Sequence, residues 1–313
     1  MPTVQTLAFP EENLIGWERA MIAFLVEKER RSGSRRTVEG YSRMLVHFFG
    51  RAGKAPDKVT AQDVFTWAYG KGVSGKEPSP VTVGARMASL SSFFRFLIRM
   101  DIVGTNPCDR LERPRTSTPP ARGLSAEEVR RLLAVLPDSP PGLRDRAIIL
   151  TLVLTGRRRA EVFRMTAGNL SFEEGTCFYE YRGKGGKAGR RELPRPALDA
   201  VRAGLAAYGH ELEHLSGHES LWPSPAAANG EGLRSATFYG RFRRYLANAG
   251  LPPSGMHILR HSAAKLRRDA GESIEDVSRF LDHSSLAVTT TYLRRLEGQE
   301  DKGWGRVAEA IGV

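Results

Sequence analysis

The chain has 313 residues, enough for two domains of ordinary size, and carries 47 lysines and arginines against 35 acids, a formal net charge of +12. The excess is mostly arginine spread along the whole length, which favours an extended anionic partner, nucleic acid before a membrane surface. Only two cysteines occur, Cys108 and Cys177, far apart and in no CxxC spacing, so neither a disulfide framework nor a cysteine zinc site is indicated.

The first residues, MPTVQTLAFPEENLIG, hold two acids where a signal peptide needs a basic start and an apolar run. The longest apolar stretch, AIILTLVL, is too short to span a bilayer, so the expected location is the cytoplasm, with no membrane partner. From Asn13 to Glu112 the pattern predicts helices. Leu14, Trp17, Met21, Phe24 and Leu25 fall at helical spacing, as do Val38, Tyr41, Leu45 and Phe48. Thr60 with Asp63 reads as an N-cap pair before Val64 and Trp67, and Ser79-Pro80 opens a longer helix carrying Val83, Met87, Leu90, Phe94 and Leu97. Together these predict a four-helix bundle over residues 1–112, its aromatics packed as core.

A linker follows at 113–123. RPRTSTPPARG has prolines, small polar residues, three arginines (Arg113, Arg115, Arg122) and no acid, so no regular element is expected there. Its charge suits a strand of chain lying along a phosphate backbone, and its composition suits a plain soluble spacer equally well.

After the linker, LSAEEVRRLLAVL opens with a capping box, Ser125 with Glu128, and LRDRAIILTLVLTG is apolar nearly all round, as a buried central helix would be. The period then switches. NLSFEEGTCFYEYRGKGGKAGRRELP alternates around two glycine-containing turns and predicts a small antiparallel sheet of two or three strands. From Pro196 onward the expectation returns to helix, so the second domain is mainly α with a small β element.

Four short stretches carry candidate chemistry. In TGRRRAEV, Gly156 ends the buried helix, and Arg158 and Glu161, three apart, share a face of the next turn; a surface salt pair is the plainer reading. RGKGGKAGRR is a glycine-rich hairpin tip presenting Lys184 and Lys187, without the phosphate-loop spacing. In HILRHSAA, His257 and Arg260 point the same way on a helix. An imidazole beside a guanidinium has no packing benefit, whereas a planar fork that reads two oxygens suits an anion site. Last, LDHSSLAVTTTY sets His283 in a turn and Tyr292 nine positions later.

In chain order, these motifs resemble those of the tyrosine recombinase, or phage integrase, family: TGxR with glutamate three later, GKGxK, HxLRH, and LGH with tyrosine at plus nine. Each is common alone, and all four in order are specific. The resemblance covers nearly the whole chain. It implies an N-terminal four-helix core-binding, SAM-like domain, then a mostly helical catalytic domain at 124–292 with a small antiparallel sheet, the DNA breaking-rejoining fold, and a tail at 293–313. It implies the simple two-domain type, a C-shaped clamp around duplex DNA with Arg113, Arg115, Arg122 and Lys187 as DNA contacts, and four protomers pairing two sites near the nucleoid. A second recombinase or an accessory protein is a further partner compatible with it.

The implied reaction has Tyr292 attack a phosphodiester, forming a 3′-phosphotyrosyl bond and releasing a 5′-hydroxyl. Arg158 and Arg260 would clamp the non-bridging oxygens, His257 and His283 would donate hydrogen bonds or assist the tyrosine proton, and Lys184 would protonate the departing oxygen. Glu161 would orient the site. No metal and no cofactor is implied: the aryl phosphodiester conserves the energy of the broken bond, so rejoining needs no ATP.

Two positions depart from the motifs: Asp282 stands where the family has glycine, and Arg157 where it has leucine. Aspartate tolerates a left-handed backbone less easily than glycine. In the tail, Trp304, Val307, Ala308 and Ile311 form a helical stripe too short to be stable alone, and the resemblance implies docking on a neighbouring protomer. Three rivals stand beside this reading. HELEHLSGH contains HExxH, which on a helix would give a zinc metalloprotease through His210, Glu211 and His214. The others are a DNA-organising protein without chemistry and a monomeric type IB topoisomerase.

Overall fold

A computed structural model of the chain describes residues 16–72, 75–115, 122–183, 188–225 and 231–282. It divides into two compact units, Met1–Thr118 and Pro119–Val313.

The first unit holds α1 (Gly16–Ser32), α2 (Arg35–Ala52), α3 (Ala61–Tyr69) and α4 (Pro80–Arg99), with a short 3-10 turn at Pro107–Arg110. Local chemistry sets these bounds. The Ser34 side chain accepts from the Thr37 amide to open α2, which ends on Gly53 in the left-handed region at φ 58°. Thr60 and Asp63 form a reciprocal capping box at the start of α3, and Ser79 caps α4 with Pro80 behind it. The apolar stripes then meet in one core, where Phe24 and Phe93 pack edge to face at 5.4 Å and Leu90, Phe94 and Leu97 are sealed from solvent.

Among the described residues of this bundle, one charged side chain is buried. Arg86 of α4 is buried because its guanidinium donates to the carbonyls of Trp67, Ala68 and Gly70, at 3.0, 2.9 and 2.7 Å, satisfying the orphan end of α3. By length and composition α4 is the described helix that could cross a bilayer, a reach the short apolar run AIILTLVL did not foretell. Half of that stretch is buried as the central helix of the bundle, the ordinary place for such a sequence.

The second unit is mainly α with one small sheet. Its elements are α5 (Ala126–Ala134), α6 (Pro140–Thr155), α7 (Arg159–Val162), β1 (Leu170–Glu173), β2 (Thr176–Arg182), β3 (Ala188–Glu192), α8 (Arg195–Ala206), α9 (Ser235–Asn248), α10 (His257–Asp269) and α11 (Ile274–Phe280). The strands run antiparallel in the order β1-β2-β3, with Leu170 opposite Tyr179 and Phe178 opposite Glu192. Helix α6 is the centre. Ile148, Ile149 and Leu152 are fully enclosed, and α8 and α10 pack against it. Its one fully buried acid, Asp145, accepts from Arg241 at 2.6 and 3.0 Å and from the Tyr245 hydroxyl at 3.0 Å, which ties α6 to α9.

The chain after Pro196 differs from the expected run of helix. Between α8 and α9, residues 207–225 and 231–234 are irregular apart from a 3-10 turn at Leu212–His214 and a single antiparallel bridge from Ser220 to Thr166. Gly209 turns the chain at φ 78°, and Gly217, Pro223 and Pro225 interrupt any helical ladder.

Gly156 closes α6 at φ 61°, its amide donating to the Leu152 carbonyl at 3.1 Å. A Cβ there would come within 2.5 Å of the Phe280 ring and 2.9 Å of Leu281. The tight approach brings the end of α6 against the end of α11. Gly156→Ala is therefore expected to destabilise the second unit by at least about 1 kcal/mol, the left-handed cost alone, read as a lower urea midpoint at unchanged slope.

Candidate active site

The turn after α6 delivers two arginines in opposite directions. Arg158 caps α7, where the Glu161 carboxylate accepts its backbone N–H and its guanidinium, both at 2.9 Å. Glu161 is nearly sealed while the Arg158 side chain is one-third exposed, 6% against 33%. Glu161 thus aims the fork, and the solvent-facing part of Arg158 remains available to a ligand.

Arg260 approaches from α10. Although only 4% exposed, it pairs with two carbonyls, Nη1 on Gly156 at 2.7 Å and Nη2 on Leu281 at 2.6 Å. Burial, then the nearby cations Arg158 and Arg157, pulls its pKa down to about 10, against the weaker opposing pull of Glu161 and Asp282. It stays charged at neutral pH. Two guanidiniums gathered with too little negative charge are what an incoming anion would neutralise.

His257 begins α10 with part of its surface toward solvent. Its ring meets that of His261 edge to face at 4.6 Å. Desolvation by its neighbours, then Arg260, Arg158 and Arg159, lowers its pKa below 6.5. Both effects favour the neutral imidazole, which has one nitrogen to donate and one to accept.

The other arginine of the turn, Arg157, points inward and has no exposed surface. Its guanidinium donates to the Asp282 carboxylate and to the Phe280 carbonyl, and lies 4.3 Å from the centre of the Tyr181 ring. Asp282 also accepts the Tyr181 hydroxyl at 2.5 Å and Arg191 of β3 at 2.9 Å. Burial raises the Asp282 pKa, but the bonds from Tyr181, Arg157 and Arg191 outweigh it and hold the carboxyl at about 2. Its backbone takes the left-handed conformation at φ 51° that glycine would adopt freely. A second bond from Arg191, to the Arg279 carbonyl at 2.7 Å, completes the set: the acceptors of residues 279, 280, 281 and 282 are all held by guanidinium groups.

Of the residues singled out by sequence, Arg158, Glu161, His257 and Arg260 come together in the second unit. Arg113 and Arg115 lie exposed in the first unit, and Arg122 is exposed beside Glu128, to which it donates. Lys184, Lys187, His283, Tyr292 and the tail fall outside the described residues. The zinc reading fails on geometry. His210 precedes the 3-10 turn and is not on a helix, Glu211 and His214 form an exposed pair at 3.2 Å, and among the described residues no cluster suited to a metal occurs. Sequence reasoning flagged Arg157 and Asp282 singly and missed that they pair, and it missed Tyr181, Arg191 and the field of Arg159 altogether. The signal was present in the charges: two departures of opposite sign, each costly alone.

Residues 122–298 match the phage integrase family. The chain is 30% identical over 263 residues to tyrosine recombinase XerC of Alcanivorax borkumensis, covering 82% of each chain. Against tyrosine recombinase XerA of Pyrococcus furiosus it is 28% identical over 273 residues, 87% of each chain. In fold it is similar to the XerH site-specific recombinase in its post-cleavage complex with palindromic difH substrate, with a TM-score of 0.64 at 18% identity over 94% of this chain and 89% of that one. It is similar also to a lambda integrase dimer bound to a COC′ core site, with a TM-score of 0.64 at 20% identity over 90% and 97%. The chain therefore belongs to the phage integrase family of tyrosine recombinases.

Proposed function

We propose that the protein is a site-specific DNA recombinase that cuts and rejoins duplex DNA through a 3′-phosphotyrosyl intermediate, with Arg158, Lys184, His257, Arg260, His283 and Tyr292 as its catalytic residues. The observation that carries this reading is the cluster of Arg158 and Arg260, oriented by Glu161 and by backbone carbonyls and short of negative charge. A scissile phosphate supplies that charge, and more of it builds up as the phosphorane forms.

Each group then has a task matched to its chemistry. The Tyr292 hydroxyl, with a pKa of about 10 when free, attacks phosphorus as its proton leaves, and neutral His257 is able to accept that proton. The bond to the 5′ oxygen breaks, and Lys184 supplies the proton that makes it a hydroxyl. A second 5′-hydroxyl reverses the same steps on the phosphotyrosine, so strand exchange needs no cofactor. Arg113, Arg115, Arg122 and Lys187 contribute phosphate contacts that position without reading sequence. The working assembly is a tetramer on two paired sites in the cytoplasm, at the nucleoid, with the tail from Trp304 docked on a neighbouring protomer. The lambda integrase tetramer on a Holliday junction, a fold relative, offers a precedent for such assembly.

Three outcomes test this. With a nicked suicide substrate selected from random duplexes, the wild type is expected to form a covalent protein–DNA adduct in the presence of a chelator, and Tyr292→Phe to form none; an adduct retained by the variant removes Tyr292 as nucleophile. Arg158→Ala is expected to slow single-turnover cleavage by about 10²- to 10³-fold while half-site affinity in a gel shift changes little. Truncation before Trp304 is expected to reduce cooperative occupancy of a full site and to spare binding of an isolated half-site.

A further inference from the structure

We propose that Arg157 and Asp282, with Tyr181 and Arg191, form a positioning device that fixes the chain where it leaves α11 for His283 and Tyr292. The inference rests on the roles proposed above for those two residues. Its observations are independent of them.

Neither residue is explained alone. Arg157 is sealed from solvent at a position where the family motif has an apolar leucine, and an unpaired guanidinium there is heavily penalised. Asp282 sits at φ 51° where the motif has glycine, in a backbone conformation that L side chains rarely adopt. Together they cancel. The carboxylate neutralises Arg157, and Arg157, Arg191 and the Tyr181 hydroxyl hold Asp282 in the left-handed region from three sides.

This exchange changes how the turn is specified. A glycine permits the left-handed conformation and many others, whereas a carboxylate gripped by three donors imposes one. The grip is anchored in three separate elements, the end of α6 through Arg157, β2 through Tyr181 and β3 through Arg191. The residue that follows Asp282 is His283, so the direction in which the chain departs toward the proposed nucleophile is set by this cage. Arg157, Asp282, Tyr181 and Arg191 act through the backbone and are positioning residues, not catalytic ones.

The test is a double-mutant cycle on the full-length protein, using single-turnover cleavage of the suicide substrate and half-site affinity as separate readouts. Asp282→Gly strands Arg157, and Arg157→Leu loosens Asp282; each is expected to slow cleavage by about ten- to a hundredfold with half-site affinity kept within about twofold. The double variant, which carries the leucine and glycine of the family motif, is expected to recover most of the lost rate. Should Arg157→Leu fail to bind DNA as a folded protein, Arg157→Gln, which keeps polar reach and loses the charge, supplies the Arg157 corner of the cycle, alone and combined with Asp282→Gly, and is expected to slow cleavage likewise. Losses that multiply in the double variant, or single variants that cleave like wild type, overturn the proposal. Tyr292→Phe run beside them separates the two readings. An adduct retained by that variant defeats the nucleophile assignment, whereas its loss together with an uncoupled cycle defeats the positioning device alone.

Discussion

At the end of α11 four consecutive residues present acceptors, three carbonyls and one carboxylate, and arginines from three different elements hold all of them. The carbonyl end of a helix carries partial negative charge and unsatisfied lone pairs, so guanidiniums are favourable partners there twice over. One of these bonds, to the Leu281 carbonyl, also orients Arg260. Its fork is fixed by the Gly156 and Leu281 carbonyls, and that fixes where its remaining N–H groups can meet a ligand. The close packing of Gly156 on Phe280 brings the ends of α6 and α11 together at this junction.

The electrostatics follow from that construction. Carbonyl dipoles orient Arg260 without cancelling its full charge, and Glu161 is shared between the backbone and side chain of Arg158. Burial first, and then the surplus of positive charge that the cluster keeps, depresses the pKa values of Arg260 and His257. Arg157, by contrast, is matched by Asp282 and contributes to architecture. Two neighbours in sequence thus have opposite fates, one neutralised inside and one held at the surface of the site.

Sequence revealed whatever is local. The capping boxes at Thr60 and Ser125, the proline-led start of α4, the buried α6 and the alternation of β2 depend on spacing within a few residues, and each appears where spacing puts it. The grouping of Arg158 with Glu161 was readable for the same reason. The Arg157 to Asp282 contact spans 125 positions, and no local period encodes it. The HExxH string shows the converse error: its letters are right for two ligands on one helical face, but Gly209 and Gly217 bracket a segment too short and too irregular to be that helix.

The sealed guanidinium also separates two kinds of salt sensitivity. Contacts between exposed arginines and DNA phosphates weaken steeply as added counterions compete for them. Arg157 has no surface for mobile ions to reach, and its bond to Asp282 lies largely beyond their screening. Concentrated electrolyte would accordingly detach this protein from nucleic acid while leaving the α6–α11 joint closed.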